Sequence, residues 1–407
     1  MKYIIILADG MADLPIDILG DKTPLEVAHT PHIDLLAKNG RCGLLHTVPE
    51  GMHPGSEVAN MSVLGYDVAR LYQGRGVLEA ASMGIEVPEG CVAMRCNLIT
   101  VSENNHIVNH SAGHISTEES KKLIDTLQKE LGNEILSFHP GVSYRNLLLI
   151  NEADAAVQCT PPHDVPGADI NSVMPVAMTD KAAPTAQLLN KLINESRSIL
   201  ESHPVNLARK AAGKQPANCI WPWSPGYRPA MQPLNQIVPI RNGVVISAVD
   251  LIFGIGIYAG LTPIQVEGAT GLYDTNYEGK VSSAVKSLSE PDTDFVFLHI
   301  EASDEAGHEG DVALKIKTIE NLDKRVVKPI IEAVKGFSEP VSIALLPDHP
   351  TPCAIRTHTS EPIPFVIYNP KAEPDQTIVF SEAEAAKGIY GTLKGNEFIK
   401  TFIPGQL

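Results

Sequence analysis

The clearest chemistry in this chain lies in acids and imidazoles far apart in sequence. Asp304 and His308 sit four apart in Glu301-Ala-Ser-Asp-Glu-Ala-Gly-His-Glu-Gly310. If the chain turns helical there, both side chains leave one face, and a carboxylate beside an imidazole is half of a metal site. Alone, such a pair is as readily a surface i,i+4 contact. Asp9-Gly10 follows the apolar run Tyr3-Ile-Ile-Ile-Leu7, and Asp348-His349 follows Val341-Ser-Ile-Ala-Leu-Leu346. His358 lies in Arg356-Thr-His-Thr359, ahead of a further apolar run. Each piece has an ordinary reading: a strand-end turn, an exposed Asp-His pair, a lone histidine. Gathered in one place, Asp9, Asp304, Asp348, His308, His349 and His358 fit two divalent ions. Carboxylate and imidazole without thiolate suit Mn, Zn, Co or Mg better than Cu or an iron–sulfur cluster. Ser56 follows Gly55 at the start of a stretch, Val58 to Leu64, with helical apolar spacing. Free backbone N–H groups at such an amino end favour an anion. Beside paired cations the Ser56 hydroxyl is a candidate nucleophile for phosphoryl transfer; without them it is a helix cap.

Convergence of these residues requires a sheet. The apolar runs at 3–7, 294–300, 341–346 and 364–368 read as strands, with 244–249 beside them and a helical stretch, Asp311 to Val334, between two of them. Strand–helix alternation predicts an α/β fold with a doubly wound, mostly parallel sheet, in which ligands gather outside the carboxyl ends of the strands. Leu44 to Val48 is a further expected strand, and Thr23 to Asn39 has capping chemistry followed by a helix. From about residue 70 the texture changes. Strands are expected at Val92–Thr100 and Ser143–Ile150, a helix at Thr117–Leu131 with Ser116 or Thr117 as its cap and Gly132 as its stop, and a second helix at Thr185–Ser202. The proline-rich segment 216–239 is expected to be a return crossing. The reading is a discontinuous core, residues 1–70 and 237–407, interrupted by an inserted smaller α/β (α+β) domain, residues 71–236.

Composition narrows the function classes. With 407 residues, 43% hydrophobic and 20% charged, the chain has ample material for packed cores. A net charge of −16 argues against a general nucleic-acid binder, so an anionic substrate needs a locally positive pocket. Six cysteines without a C-x-x-C spacing read as reduced thiols. The apolar run after Met1-Lys2 is too short for a signal peptide, and Val244 to Leu261 carries Asp250 and three glycines, which suits a buried element rather than a membrane span. Cytoplasm is the expected location, with neither a membrane nor a nucleic acid as partner. Gly254-Ile-Gly-Ile-Tyr-Ala-Gly260 misplaces the third glycine of a dinucleotide fingerprint and reads as close helix packing. Gly279-Lys280 is followed by Val, so no phosphate-binding loop of the Walker kind is present.

Ala8-Asp9-Gly10-Met11, Gly55-Ser56-Glu57, Asp304-x-x-x-His308, Asp348-His349 and Thr357-His358-Thr359 before Pro362-Ile-Pro364 resemble the alkaline phosphatase superfamily. Within it they are most similar to cofactor-independent phosphoglycerate mutases of the archaeal type, along most of the chain. Tyr66-Asp67, Gly74-Arg75-Gly76, Arg95-Cys-Asn-Leu98, Ser111-Ala-Gly113, Ser143-Tyr-Arg145 and Pro161-Pro-His-Asp164 share in the likeness. The resemblance implies one metal on Asp9, Ser56, Asp348 and His349, and another on Asp304, His308 and His358, with no need of 2,3-bisphosphoglycerate. It implies that Ser56 takes the phosphoryl group of 3-phosphoglycerate and returns it to the 2-hydroxyl, the domains closing to exclude water. Arg75, Arg95, Arg145, His163, Asp164 and Arg228, with Lys280 from the core, are the expected substrate contacts, since guanidinium forks suit carboxylate and phosphate. His114 stands where the archaeal mutases lead one to expect arginine, and Ile220-Trp-Pro-Trp-Ser-Pro-Gly-Tyr-Arg228 is atypical. Both features resemble a bacterial subgroup with a proposed homoserine kinase role. Transfer to homoserine or another small acceptor is therefore an alternative, as is a phosphatase or sulfatase using the same metals.

Overall fold

The structure, a computed structural model, describes residues 1–405. It has two compact units. One comprises residues 1–72 with 231 onward; the other comprises residues 73–230.

The first unit is built on an eight-stranded sheet. Its order is Thr262–Ile264, Gly243–Ile246, Phe295–Ile300, Lys2–Ala8, Val341–Leu346, Ile363–Tyr368, Arg41–His46 and Thr392–Lys394. Lys2–Ala8 is buried along its whole length and pairs in parallel with both neighbours, which is why it reads as an unbroken apolar run. Ile363–Tyr368 runs antiparallel to Val341–Leu346 and to Arg41–His46, so the sheet is mostly, not wholly, parallel. Register brings the key strand ends together: Ala8 pairs with Ile300, and Leu7 with Leu346. Asp9, the turn after Ile300 and Pro347-Asp348 therefore leave the sheet at one carboxyl edge.

Helices follow where the sequence places its caps and apolar spacing. Thr23 caps Pro24–Val27 in a reciprocal capping box with Glu26. Asp250–Tyr258 covers the glycine-rich run, and Gly256 lies so close to Val245 that a Cβ there would meet it at 2.4 Å. Close packing, not a dinucleotide, accounts for that glycine. The stretch after Asp311 is one helix, Val312–Asn321, continuing through a π turn, Leu322–Val327, into Lys328–Val334. The π turn aims buried Asp323 at the amino end of Pro31–Lys38, where it accepts from the His32 and Ile33 N–H groups at 2.8 Å. No helix among the described residues is long and apolar enough to cross a membrane.

The second unit holds an antiparallel sheet around Val92–Val101, which pairs with Arg145–Ile150 and with Cys219–Gly226. The helices Thr117–Leu131 and Ala183–Glu201 contribute to the apolar core beneath it. Ser116 and Glu119 form the capping box that starts the first helix. The proline-rich segment does return the chain to the first unit, at residue 231, but its earlier part, Cys219–Gly226, is a strand rather than a crossing. Pro222 and Pro225 are tolerated there because that strand pairs on one side only, and its register shifts beside Ala93 and Arg95.

Candidate active site

Ser56 is the first residue of the helix Ser56–Val63, with Gly55 before it in extended conformation. Its Oγ lies 3.2 Å from His349 Nε2. That nitrogen is 3.7 Å from Asp9 Oδ1 and 3.5 Å from Asp348 Oδ2. Asp348 is fixed through Oδ1 by the Gly10 N–H at 3.1 Å and through Oδ2 by Asn60 Nδ2 at 2.9 Å. Gly10 cannot be otherwise: its φ is +61°, and a Cβ would stand 2.6 Å from the Asp304 backbone and from Thr351 Oγ1.

Asp304 and His308 leave one face of the helix Ala302–Glu309, with His308 Nε2 3.2 Å from Asp304 Oδ2. His358 Nε2 reaches Asp304 Oδ1 at 3.4 Å and His308 Nε2 at 2.9 Å. The other ring nitrogens face carbonyls: His308 Nδ1 is 3.1 Å from the Arg356 oxygen, and His358 Nδ1 is 3.3 Å from that of Pro54. A carbonyl only accepts, so each Nδ1 donates, and the two Nε2 atoms are turned toward each other, where in the neutral rings their lone pairs would be free for a cation. Thr351 Oγ1 donates to Asp304 Oδ1 at 2.5 Å, and the His349 and His358 rings stack at 3.9 Å. All six sequence-predicted acids and imidazoles, with Ser56, thus lie together at one rim.

Electrostatics point the same way. Burial, then the nearby Asp348 and Asp304 carboxylates, push Asp9 well above the usual carboxylate value, with His299 opposing. Burial would raise Asp304 too, but His308 and His358 outweigh it and hold that carboxyl well below its usual value. Asp304 in turn raises His308 to about 8. Burial lowers His349. Asp9 Oδ1 is buried without a hydrogen-bond partner among the described residues. Ligand atoms of Asp304, His308 and His358 lie within 4.8 Å of one another, as do those of Asp9, Asp304 and His349. An acid-and-imidazole set with an orphaned oxygen and facing lone pairs fits divalent cations.

The expected substrate contacts fare unevenly. In the second unit Arg75 and Arg145 both act electrostatically on Arg95. Burial first, then Arg75 and Arg145, lower the Arg95 guanidinium, while Glu79 at 3.2 Å opposes them. Arg95 lies over the Trp223 ring at 4.5 Å, and His163 meets that ring edge-on at 5.3 Å with Asp164 beside it. Arg228 instead faces Glu86 at 3.8 Å and is exposed. His114 is exposed on a left-handed turn, with φ 53°. Lys280 departs from its expected role: it is wholly buried, and its ammonium donates to Glu301 at 2.5 Å and to the His299 carbonyl at 3.0 Å.

Several positioning groups escape the sequence reading. Asn60 is signalled only by being a buried amide four residues after Ser56. Trp223 is marked only as part of the atypical stretch Ile220 to Arg228, and Thr351 and the Asp13–Lys315 pair, both fully buried at 2.8 Å, give no signal of their own. Lys315 Nζ also donates to the carbonyls of Ala12 and Thr351, tying the loop after Asp9 to the loop after His349.

A serine at a helix amino end, set among three acids and three imidazoles at the carboxyl rim of a doubly wound sheet, is the arrangement of a metal-assisted phosphoryl-transfer enzyme with a serine nucleophile that the resemblance in the sequence led one to expect. Comparison with known proteins narrows this. The family model described as 2,3-bisphosphoglycerate-independent phosphoglycerate mutase matches residues 37–206. An enzyme of that name from Methanosarcina barkeri is 49% identical over the full length of both chains. A probable one from Geobacter sulfurreducens is 45% identical over 95% of each. Among solved structures, a Pyrococcus horikoshii protein superposes with a TM-score of 0.83 at 30% identity, covering 98% of this chain and 96% of its own. A cofactor-independent phosphoglycerate mutase from Thermoplasma acidophilum gives 0.68 at 25% identity, covering 99% of each. The chain belongs to the 2,3-bisphosphoglycerate-independent phosphoglycerate mutase family.

Proposed function

We propose that the protein interconverts 3-phosphoglycerate and 2-phosphoglycerate by way of a phosphoserine at Ser56. The observation that carries this is the Ser56 hydroxyl at the amino end of its helix, 3.2 Å from His349 Nε2 in a rim of carboxylates and imidazoles. Ser56 Oγ attacks phosphorus as the bond to the 3-oxygen breaks. The 2-hydroxyl then attacks the phosphoserine as the bond to Ser56 Oγ breaks, so no phosphate is lost and no bisphosphoglycerate is needed. Backbone N–H groups at the helix amino end favour the anion.

We assign Asp9, Ser56, Asp348 and His349 to one divalent ion and Asp304, His308 and His358 to another, with Mn the preferred metal over Zn, Co or Mg. Ions bound there would lower the pKa of the hydroxyl and neutralise charge on the transferring group. Arg75, Arg95 and Arg145, with His163 and Asp164, are assigned to the carboxylate and hydroxyls of the glycerate. Full-length relatives named as mutases favour this reading over transfer to homoserine and over hydrolysis. The cytoplasm, where the six free thiols stay reduced, is the proposed location. The test supplies 3-phosphoglycerate to Mn-loaded protein without bisphosphoglycerate: 2-phosphoglycerate is the expected product, and inorganic phosphate alone would overturn the reading.

A further inference from the structure

Beneath Asp9 runs a row of charged side chains to which the phosphoryl transfer gives no task. Lys280 Nζ donates to Glu301 Oε2 at 2.5 Å, Glu301 Oε1 is 3.1 Å from His299 Nδ1, and His299 Nε2 is 3.1 Å from Asp9 Oδ2. All four are buried: Lys280 and His299 are 0% exposed, Glu301 3% and Asp9 5%. Glu301 Oε1 also accepts from the Ala248 N–H at 2.9 Å and from Ser247 Oγ at 3.2 Å, so neighbouring backbone holds it in place. Burying such a chain is costly, and apolar residues of the same volume commonly stabilise a fold as well or better. Stability alone therefore does not explain it.

The two oxygens of Asp9 have different surroundings. Oδ2 faces His299, whereas Oδ1 has no hydrogen-bond partner among the described residues and lies 3.7 Å from His349 Nε2, on the side of Ser56. We propose that His299 is a positioning residue for Asp9: anchored through Glu301 to Lys280, it holds Oδ2 so that Oδ1 stays turned toward the site shared with Asp348 and His349. This rests on the metal assignment above. Ligating carboxylates are generally held by such outer partners, whose loss weakens metal binding about 10–100-fold. His299 Nε2 meets Asp9 at ion-pair distance without a well-aligned hydrogen bond, and ligand atoms of Asp9, His299 and Asp348 lie within 4.8 Å of one another. The rival role is that of a direct ligand, and the experiment separates the two.

Chelator-stripped full-length protein is titrated with Mn²⁺ by calorimetry, bound Mn is counted by elemental analysis, and the metal-free fold is checked by thermal melting. The wild type is expected to take up two ions. His299→Leu is expected to weaken one of them about 10–100-fold and leave the other unchanged, and His299→Gln, which keeps a polar N–H able to face Asp9, to recover most of the loss. Two ions bound by His299→Leu as tightly as by the wild type would overturn the proposal. So would equal weakening of both ions with a lowered melting point, which marks a merely structural role. A Gln variant as impaired as Leu would make the imidazole itself the ligand and overturn it as well. If His299→Leu does not fold, Glu301→Gln is expected to weaken the same ion, and unchanged binding there would contradict the relay. A wild type that binds fewer than two ions would instead overturn the metal assignment on which the proposal rests.

Discussion

His308 and His358 face each other through their Nε2 atoms at 2.9 Å while each Nδ1 is turned to a backbone carbonyl. Facing ring nitrogens at that distance are held by a shared proton or by a bound cation, and a divalent ion between them would replace the proton that Asp304 favours on His308, so metal binding and stability should be linked. A ligand that binds only the folded state adds about 2.7 kcal/mol at one hundred times its Kd. The melting temperature should therefore rise as Mn²⁺ is titrated into chelated protein, and His358→Ala should remove a large part of the gain. A melting curve indifferent to metal in the wild type would contradict the assignment.

Gly10 is the tightest point of the rim. Gly10→Ala must adopt a positive φ and place a methyl against the Asp304 backbone, a strain of about 1–3 kcal/mol. Denaturant titration should show that loss together with weaker metal binding, since Asp304 is what the methyl displaces. Wild-type stability and metal affinity in this variant would mean that the loop is not built as described.

The substrate assignment is open to kinetics. Arg95 is buried over Trp223 and held by Glu79, so Arg95→Lys loses the planar fork while keeping the charge. KM for phosphoglycerate should rise roughly tenfold or more, with Mn stoichiometry unchanged. Unaltered KM would remove Arg95 from the substrate contacts.

Protonation gives a signed prediction for metal-free protein. Burial lowers His110, His139, His163 and His203, with Arg95 and Arg75 adding to the effect at His163. A depressed histidine binds more protons unfolded than folded, so stability falls as pH drops below the unfolded value of about 6.5. His308, raised to about 8 by Asp304, acts oppositely: its contribution is complete below that unfolded value and is lost as pH climbs through about 8. The melting temperature of chelated protein should therefore peak between these limbs. A midpoint that keeps rising from pH 6.5 down to pH 5 would contradict the histidine environments.

The sequence displayed most of the rim because Asp9, the Asp304–His308 pair and Asp348–His349 each follow an apolar run, and parallel pairing places such positions side by side. Lys2–Ala8 and Val341–Leu346 are buried on both faces, which makes their boundaries readable. The supporting groups were hidden for a related reason. His299 lies inside a buried strand and Lys280 inside a helix, and nothing local distinguishes a buried charge from a solvated one. Only tertiary packing against Glu301 turns Lys280 inward. Cys219–Gly226 was masked by Pro222 and Pro225, whose usual meaning is a loop; one-sided pairing, invisible locally, lets them stay in a strand.

The central claim is that Ser56 carries the phosphoryl group between the two positions of glycerate. The most direct test compares 2-phosphoglycerate formation from 3-phosphoglycerate by Mn-loaded wild type and Ser56→Ala, with bound metal measured in both. Loss of a covalent nucleophile should cut turnover roughly 10³-fold or more while the Asp304, His308 and His358 ion is retained. Turnover by Ser56→Ala within a few-fold of the wild type would contradict the covalent route.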